Sequence, residues 1–203
     1  PRLAPLITAI GVSLLLQNAG QLVFGADPKF FPPLIRSETA LRIGGIAISN
    51  IQIVVLVTAI LLMGGLQYVV QRTRFGRAMR AVSYDAPAAA LMGVPVDRVI
   101  LGTFVLGSCL AAAAGILVGL SNPKIDPLMG LMPGLKAFVA AVLGGIGSIP
   151  GAMLGGILLG VIETLVTGYL SSTYRDAIAF VVLVLILLYR PTGLFGAPQT
   201  EKV

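Results

Sequence analysis

No histidine occurs in the chain, and cysteine occurs once, at Cys109 within an apolar run. A disulfide framework needs a second cysteine, and thiolate–imidazole metal sites need both residue types, so redox and zinc chemistry are excluded. Charge is scarce as well. Charged residues make up 11% of the 203 residues, against about 25% in ordinary soluble domains. An intramembrane enzyme would need a nucleophile with its base, a carboxylate pair or a metal, and these residues assemble none of them. The rest of the chain is apolar: 57% of residues are hydrophobic and the mean hydropathy is +0.98. Too little polar surface remains to coat a water-soluble globule, so the sequence reads as an integral membrane protein that carries no cofactor. The net charge of +6 does not point to nucleic acid, because the basic residues sit between apolar runs and are not interleaved with aromatics. The chain opens at Pro1 without an initiator methionine and without a basic-start signal peptide, and it is expected to be a fragment.

A membrane-crossing helix needs about 20 mostly apolar residues. Residues 6–24, 46–70 and 99–120 satisfy this. Beyond them the pattern breaks: 135–146 and 151–167 are separated by Ser148-Ile149-Pro150, and 177–189 is short for a full crossing. The expected fold is all-α, a polytopic transmembrane bundle forming a single domain over 1–203, with a broken or re-entrant segment. Residues 25–45 hold three prolines and mixed charges and read as an ordered surface loop with a small hairpin. Residues 71–98 carry Arg72, Arg74, Arg77, Arg80 and Arg98 against Asp85 and Asp97, and basic loops near span ends stay in the cytoplasm. Parity of the later segments then puts the C-terminus, after Arg190, on the cytoplasmic side. Lys29, Arg36, Arg42, Lys124, Lys136 and Arg175 fall on the outer side and weaken this bias. Tyr68 and Tyr189 fit either an inner aromatic belt or ordinary core positions.

The 71–98 loop has internal punctuation. Asp85 is placed to cap a short helix, Pro87 suits its first turn, AAALM supplies helix formers, and Gly93 followed by Pro95 stops it. Ahead of it Phe75, Met79 and Val82 share one helical face while Arg77 and Arg80 share another. Such an amphipathic pair either lies on the bilayer with its arginines on anionic lipid or docks a cytoplasmic partner.

RTRFGRAMRAVSYDAPAAALMGVPVDRV resembles the cytoplasmic coupling loop of the permease subunits of branched-chain amino acid ABC transporters. GLKAFVAAVLGGIGSIPGAMLGGILLGVIE, the ending RPTGLFG and GVSLLLQNAGQLVFG are similar to other segments of that family, in the same order over nearly the whole chain. The family's first helices have no counterpart here. The resemblance implies a multi-pass inner-membrane permease domain that dimerises with an identical or different permease chain, couples to cytoplasmic ABC ATPases and receives substrate from a periplasmic binding protein. It also implies that Arg77, Arg80, Asp85, Ala90 and Gly93 lie in or near the ATPase contact. No G-x-x-x-x-G-K-[ST] phosphate loop occurs in the chain, so nucleotide chemistry would belong to a partner. A permease of the same family for urea or short amides is the alternative. An ion-coupled secondary transporter fits less well, since it would need buried charges that this chain hardly has.

The residues of the later segments admit two uses. Gly147, Gly151 and Gly155 repeat at four-residue spacing, as do Gly156 and Gly160, which suits close helix packing in lipid. The cluster Gly144, Gly145, Gly147, Ser148 and Pro150 reads instead as a break beside the transport path, because irregular backbone at membrane depth survives only against protein or a water-filled cavity. Glu163 is a carboxylate inside an apolar run. It is expected to meet a substrate ammonium, to pair with a basic residue, or to sit near the outer headgroups. Ser13, Gln17 and Gln21 form a polar stripe with Asn18 beside it, either as glue between helices or as lining of the path. Arg36, Arg42, Lys124 and Arg175 either meet acidic residues on a binding protein or snorkel to headgroups.

Overall fold

A computed structural model describes residues 4–30, 32, 39–43, 46–190 and 192–196, with no account of side chains for 4–6, 39–43 and 46–47. Arg36 and the side chain of Arg42 lie outside it, as does Pro191 of the RPTGLFG ending. The fold is helical. Four helices, and a fifth stretch at Ser172–Tyr189, are long and apolar enough to cross a bilayer. The chain divides into two compact units, Pro1–Gly130 and Leu131–Val203.

The first unit opens with α1 (Ala4–Phe24), which stops at Gly25. That glycine takes a left-handed φ of 87° while its N–H still bonds the Gln21 carbonyl at 2.9 Å, the usual way for a helix to end. Two short antiparallel ribbons follow. β1 (Lys29–Phe30) pairs with β4 (Lys124–Ile125), and β2 (Thr39–Ile43) pairs with β3 (Ile46–Ser49). The β2–β3 pair realises the hairpin expected in the 25–45 loop and takes four residues from the span expected over 46–70. The reason is local: Ser49 Oγ accepts from the Ile51 N–H and the Gln52 side chain accepts from the Ser49 N–H, so the helix α2 (Asn50–Arg72) starts only there.

Thr73 then ends one helix and starts the next. Its hydroxyl donates to the Val69 carbonyl at 2.6 Å and accepts from the Gly76 N–H at 3.0 Å, and α3 (Arg74–Tyr84) turns away at once. A side chain at Gly76 would collide with the Val69 and Val70 carbonyls. After α4 (Ala86–Leu91) the long α5 (Val96–Ser121) runs to the β1–β4 ribbon. At 1.5 Å per residue its 26 residues span about 39 Å, so the arginine-bearing helices and that ribbon lie at opposite ends of this unit.

The second unit is a helical hairpin with a third helix against it. α6 (Leu131–Gly144) has 14 residues, about 21 Å, too short for a hydrocarbon core of about 30 Å. α7 (Ile149–Tyr169) and α8 (Arg175–Tyr189) follow, joined by a single 3₁₀ turn at Ser172–Tyr174. Val139, Ala140, Leu159 and Ala179 form the buried core, with Leu183 packed on it.

Glycine sets the α6–α7 distance. A Cβ on Gly144 would strike the Gly151 carbonyl, and one on Gly155 would strike the Ala140 carbonyl. Backbone therefore touches backbone, as small-residue spacing permits. Only Gly151 and Gly155 of the two expected strips do this work. Gly147 belongs to the turn, with φ of 97°, Gly156 makes only an ordinary contact with Ala140, and Gly160 faces open space. Gly155→Ala is therefore expected to cost about 1–3 kcal/mol through overpacking. Gly160→Ala is expected to be neutral or to stabilise by up to about 1 kcal/mol. Thermal unfolding of the two variants in detergent checks this, and equal melting temperatures would contradict the packing described.

Candidate coupling and transport sites

Asp85 starts α4 as its pattern predicts: Oδ1 accepts from the Ala88 N–H at 3.0 Å, and Pro87 sits in the first turn. Gly93 closes it at φ 83°, and the Val94 N–H reaches back to the Ala89 carbonyl at 3.0 Å. A left-handed residue at this point is what glycine supplies without steric cost. α3 is amphipathic, and its apolar face turns inward. The Phe75 ring lies where a side chain on Gly102 of α5 would go, 2.6 Å from such a Cβ, and Met79 and Val82 are half-buried. Arg77 is exposed, and Arg80, also exposed, donates through Nη1 to the Val70 carbonyl. Asp85, Ala90 and Gly93 are exposed while Ala89 is buried, so α4 presents one face outward. Beside Ala90 stand Leu91 and Met92, 90% and 85% exposed, two apolar side chains that water does not favour.

The 144–151 cluster is a tight reverse turn between α6 and α7. Gly145 (φ 104°) and Gly147 reverse the chain, and Ser148 Oγ caps α7 by accepting from the Gly151 N–H at 3.1 Å. Pro150, exposed, occupies the first turn of α7, where its missing N–H costs nothing. The C-terminal segment closes over this turn. The Leu194 N–H bonds the Leu143 carbonyl at 2.9 Å and the Phe195 N–H bonds the Gly144 carbonyl at 3.0 Å, which satisfies the open end of α6. Gly145 is buried with no room for a side chain, since Gly193 and Gly196 lie directly against it. The RPTGLFG ending, a family mark in the sequence, is thus also a clasp, and its paired glycines, Gly193 and Gly196, are the one local sign of it.

Glu163 is 6% exposed, and of the three readings of it the structure realises pairing. Arg175 Nε donates to its Oε2 at 3.2 Å, and Lys136 Nζ lies 3.0 Å from Oε1. The lysine contact is an ion pair off the hydrogen-bonding direction, since Oε1 has no hydrogen-bond partner among the described residues. Lys136 also meets Asp176 at 2.8 Å. Two cations and two carboxylates thus join α6, α7 and the start of α8. The pairing of Lys136 with Glu163 and Asp176 is not written in any one segment, whose only sign of it is opposite charge in or beside neighbouring apolar runs, and Arg175 faces its own chain here. The turn and this quartet mark opposite ends of the α6–α7 hairpin.

In α1 the polar stripe divides. Asn18 is exposed and its Nδ2 donates to the Leu14 carbonyl of its own helix at 2.7 Å, while Gln17 Nε2 bonds Ser13 Oγ at 3.3 Å. Gln21 is half-buried. Gln17 also lines a crevice of about 490 Å³ between the end of α1 and the β1–β4 ribbon. Leu16, Phe24, Phe30 and Ile125 supply its apolar wall, and Asp27, Lys29 and Asp126 its charges. No cluster of acidic, cysteine or histidine side chains able to hold a metal occurs among the described residues.

Residues 2–187 match the family model described as branched-chain amino acid transport system / permease component. The whole chain is similar to the high-affinity branched-chain amino acid transport system permease protein BraD of Pseudomonas aeruginosa, 46% identical over 67% of that protein. It is similar to the LivH proteins of the same description from Salmonella typhimurium and Escherichia coli K12 at 45% and 44%, again over the whole chain and 67% of each relative. No solved structure matches.

The charge quartet makes a separable prediction. Glu163→Gln removes the charge that holds Lys136 and Arg175, and is expected to cost about 1.5–3 kcal/mol, as for hydrogen bonds to charged groups. A Lys136→Met/Glu163→Gln double-mutant cycle on the melting of the purified protein should return a coupling of about 0.5–3 kcal/mol. Unchanged stability with impaired transport would instead favour a contact between Glu163 and substrate.

Proposed function

The chain belongs to the branched-chain amino acid transport system / permease component family, and from that premise we propose that it builds one half of the translocation path of a binding-protein-dependent ABC importer for branched-chain and other hydrophobic amino acids. It is a transport component and not an enzyme. Several of its helices are long and apolar enough to cross the membrane, and the energy-yielding chemistry lies with ATPase partners that the family uses generally. A second permease chain, identical or different, would complete the path.

One observation carries the coupling part of this reading. α3 and α4 form a short, hard-capped pair in which Thr73, Asp85 and Gly93 fix every reversal, and Phe75 seats the pair on Gly102 of α5. A partner pushing on the exposed face at Ala90, Leu91 and Met92 would therefore move α2 and α5 as well, because packed backbone transmits displacement rather than absorbing it. Arg77 and Arg80, exposed on α3, would meet acidic groups on the ATPase. With the arginine-rich end in the cytoplasm, the β1–β4 ribbon stands on the outer side, and parity returns the clasped C-terminus to the inner side. Irregular backbone at the 144–148 turn then sits near the inner end of the path, where a water-filled cavity or protein must surround it.

The urea or short-amide alternative shares this architecture and differs only in cargo. Its test is ATP-dependent uptake into liposomes holding the intact permease complex, with loaded binding protein and either leucine or urea outside. Leucine uptake is expected. Urea uptake alone would replace the cargo, and uptake driven by an ion gradient without ATP would overturn the importer. In the same vesicles Ala90→Leu should leave the fold of the permease unchanged, since Ala90 is exposed and leucine is a good helix former, yet lower substrate-stimulated ATP hydrolysis by about tenfold or more, as for blocking a close contact at an interface. Gly93→Val should uncouple hydrolysis from transport, because a β-branched residue resists the left-handed φ of 83°. Normal coupling in both variants would remove this surface from the ATPase contact.

A further inference from the structure

We propose that the crevice between the end of α1 and the β1–β4 ribbon is a binding site for a zwitterionic amino acid with an apolar side chain, the first contact of the cargo within the permease once it is released on the outer face. This rests on the importer reading above and adds a site to it. Three features argue for a ligand of this chemistry. The volume, about 490 Å³, falls in the range of about 300–1,000 Å³ typical of small-molecule sites. Its wall combines Leu16 and Phe24 from α1 with Phe30 and Ile125 from the ribbon, which suits a branched aliphatic side chain. Asp27, Lys29 and Asp126 add two carboxylates and one ammonium, none of them ion-paired among the described residues.

A zwitterion needs groups of both signs and an apolar surface beside them, and all three line this crevice. The two carboxylates outnumber the lysine, so recognition of the ammonium group dominates. Asp126 is also held in place: its Oδ1 accepts from the Leu128 N–H at 2.9 Å, which fixes the carboxylate at the end of β4 and leaves Oδ2 for a ligand. Gly20 lines the crevice on the same helical face as Phe24, and a Cβ there would meet nothing within 4 Å. The absence of a side chain at this position is what keeps the floor open. Gln17, one turn below, offers an amide to the same space.

The test uses the intact permease complex with its ATPases in lipid nanodiscs, without binding protein, and measures equilibrium binding of tritiated leucine. Binding to the unaltered complex is expected, displaced by leucinol, which keeps the ammonium group, and not by 4-methylpentanoate, which lacks it. Asp126→Asn keeps the turn acceptor and removes the charge, and Gly20→Leu fills the floor with a side chain that the helix and the open space accommodate. Each should weaken leucine binding at least about tenfold, the loss expected for a charge-assisted contact or a blocked cavity. Lys29→Gln should weaken leucine binding while sparing leucinol. ATP-dependent leucine uptake with binding protein, measured on the unaltered complex in liposomes, reports the importer reading separately. Uptake without leucine binding, or leucine binding that Asp126→Asn and Gly20→Leu both retain, overturns the crevice site and leaves the importer standing. Binding abolished by those variants with no uptake of leucine upholds the site and overturns the importer; loss of both binding and uptake overturns both.

Discussion

In a bilayer a backbone N–H or carbonyl without a partner cannot fall back on water, so every interruption of a helix must be answered from within the protein. That constraint governs the most unusual part of this chain. α6 stops at Gly144, well short of a full crossing, and the carbonyls of its last turn would be stranded. Two of them, on Leu143 and Gly144, are taken by the N–H groups of Leu194 and Phe195, and Ser148 answers the other side of the turn by capping α7. Glycine is the condition for this closure. A methyl group on Gly145 would strike Gly196 and one on Gly193 would strike Gly145, forcing the two sides of the clasp apart, while one on Gly196 would strike the Thr192 carbonyl within the C-terminal turn itself.

The same economy of contact appears wherever helices change direction. Thr73 serves as the end of α2 and the beginning of α3 through one hydroxyl, and Gly76 lets the two helices meet backbone to backbone. Corners of this kind hold successive helices in a fixed relation, since backbone packed on backbone leaves no room for the joint to flex. Across the second unit the charge quartet at Lys136, Glu163, Arg175 and Asp176 plays a related part at the opposite end from the clasp. A buried carboxylate that would be costly alone becomes tolerable when two cations share it, and the helices that carry those charges are thereby tied together.

Most of the outer wall of α1 remains exposed, with large apolar side chains such as Leu22 and Val23 uncovered. A surface of this kind suits the apolar interior of a bilayer. The crevice at the C-terminal end of α1 is a different environment, because charge and apolar wall meet there. A path for a hydrophobic zwitterion has to offer the two together, while a purely lipid-facing groove would not keep Asp27, Lys29 and Asp126.

The sequence by itself determined the solvent, the helical class, the long spans and the positions of several helix ends, because these depend on composition, on hydrophobic runs and on caps formed within a few residues. Asp85, Pro87 and Gly93 were legible for that reason, and so was the amphipathic face of α3. It misplaced the start of α2 by four residues, since apolar residues at 46–48 suit a strand as well as a helix and only the pairing with β2 decides between them. Everything that depends on two distant segments meeting was left to the tertiary structure. Spacing along one helix does not say what lies opposite it, so it could not separate Gly151 and Gly155, which touch α6, from Gly160, where a side chain would meet open space among the described residues. Nor could it give Glu163 its partners or bring Asp27 and Asp126 to one crevice, about a hundred residues apart in sequence. Short-range backbone chemistry is written along the chain, and the partners of a side chain exist only after the chain has folded back on itself.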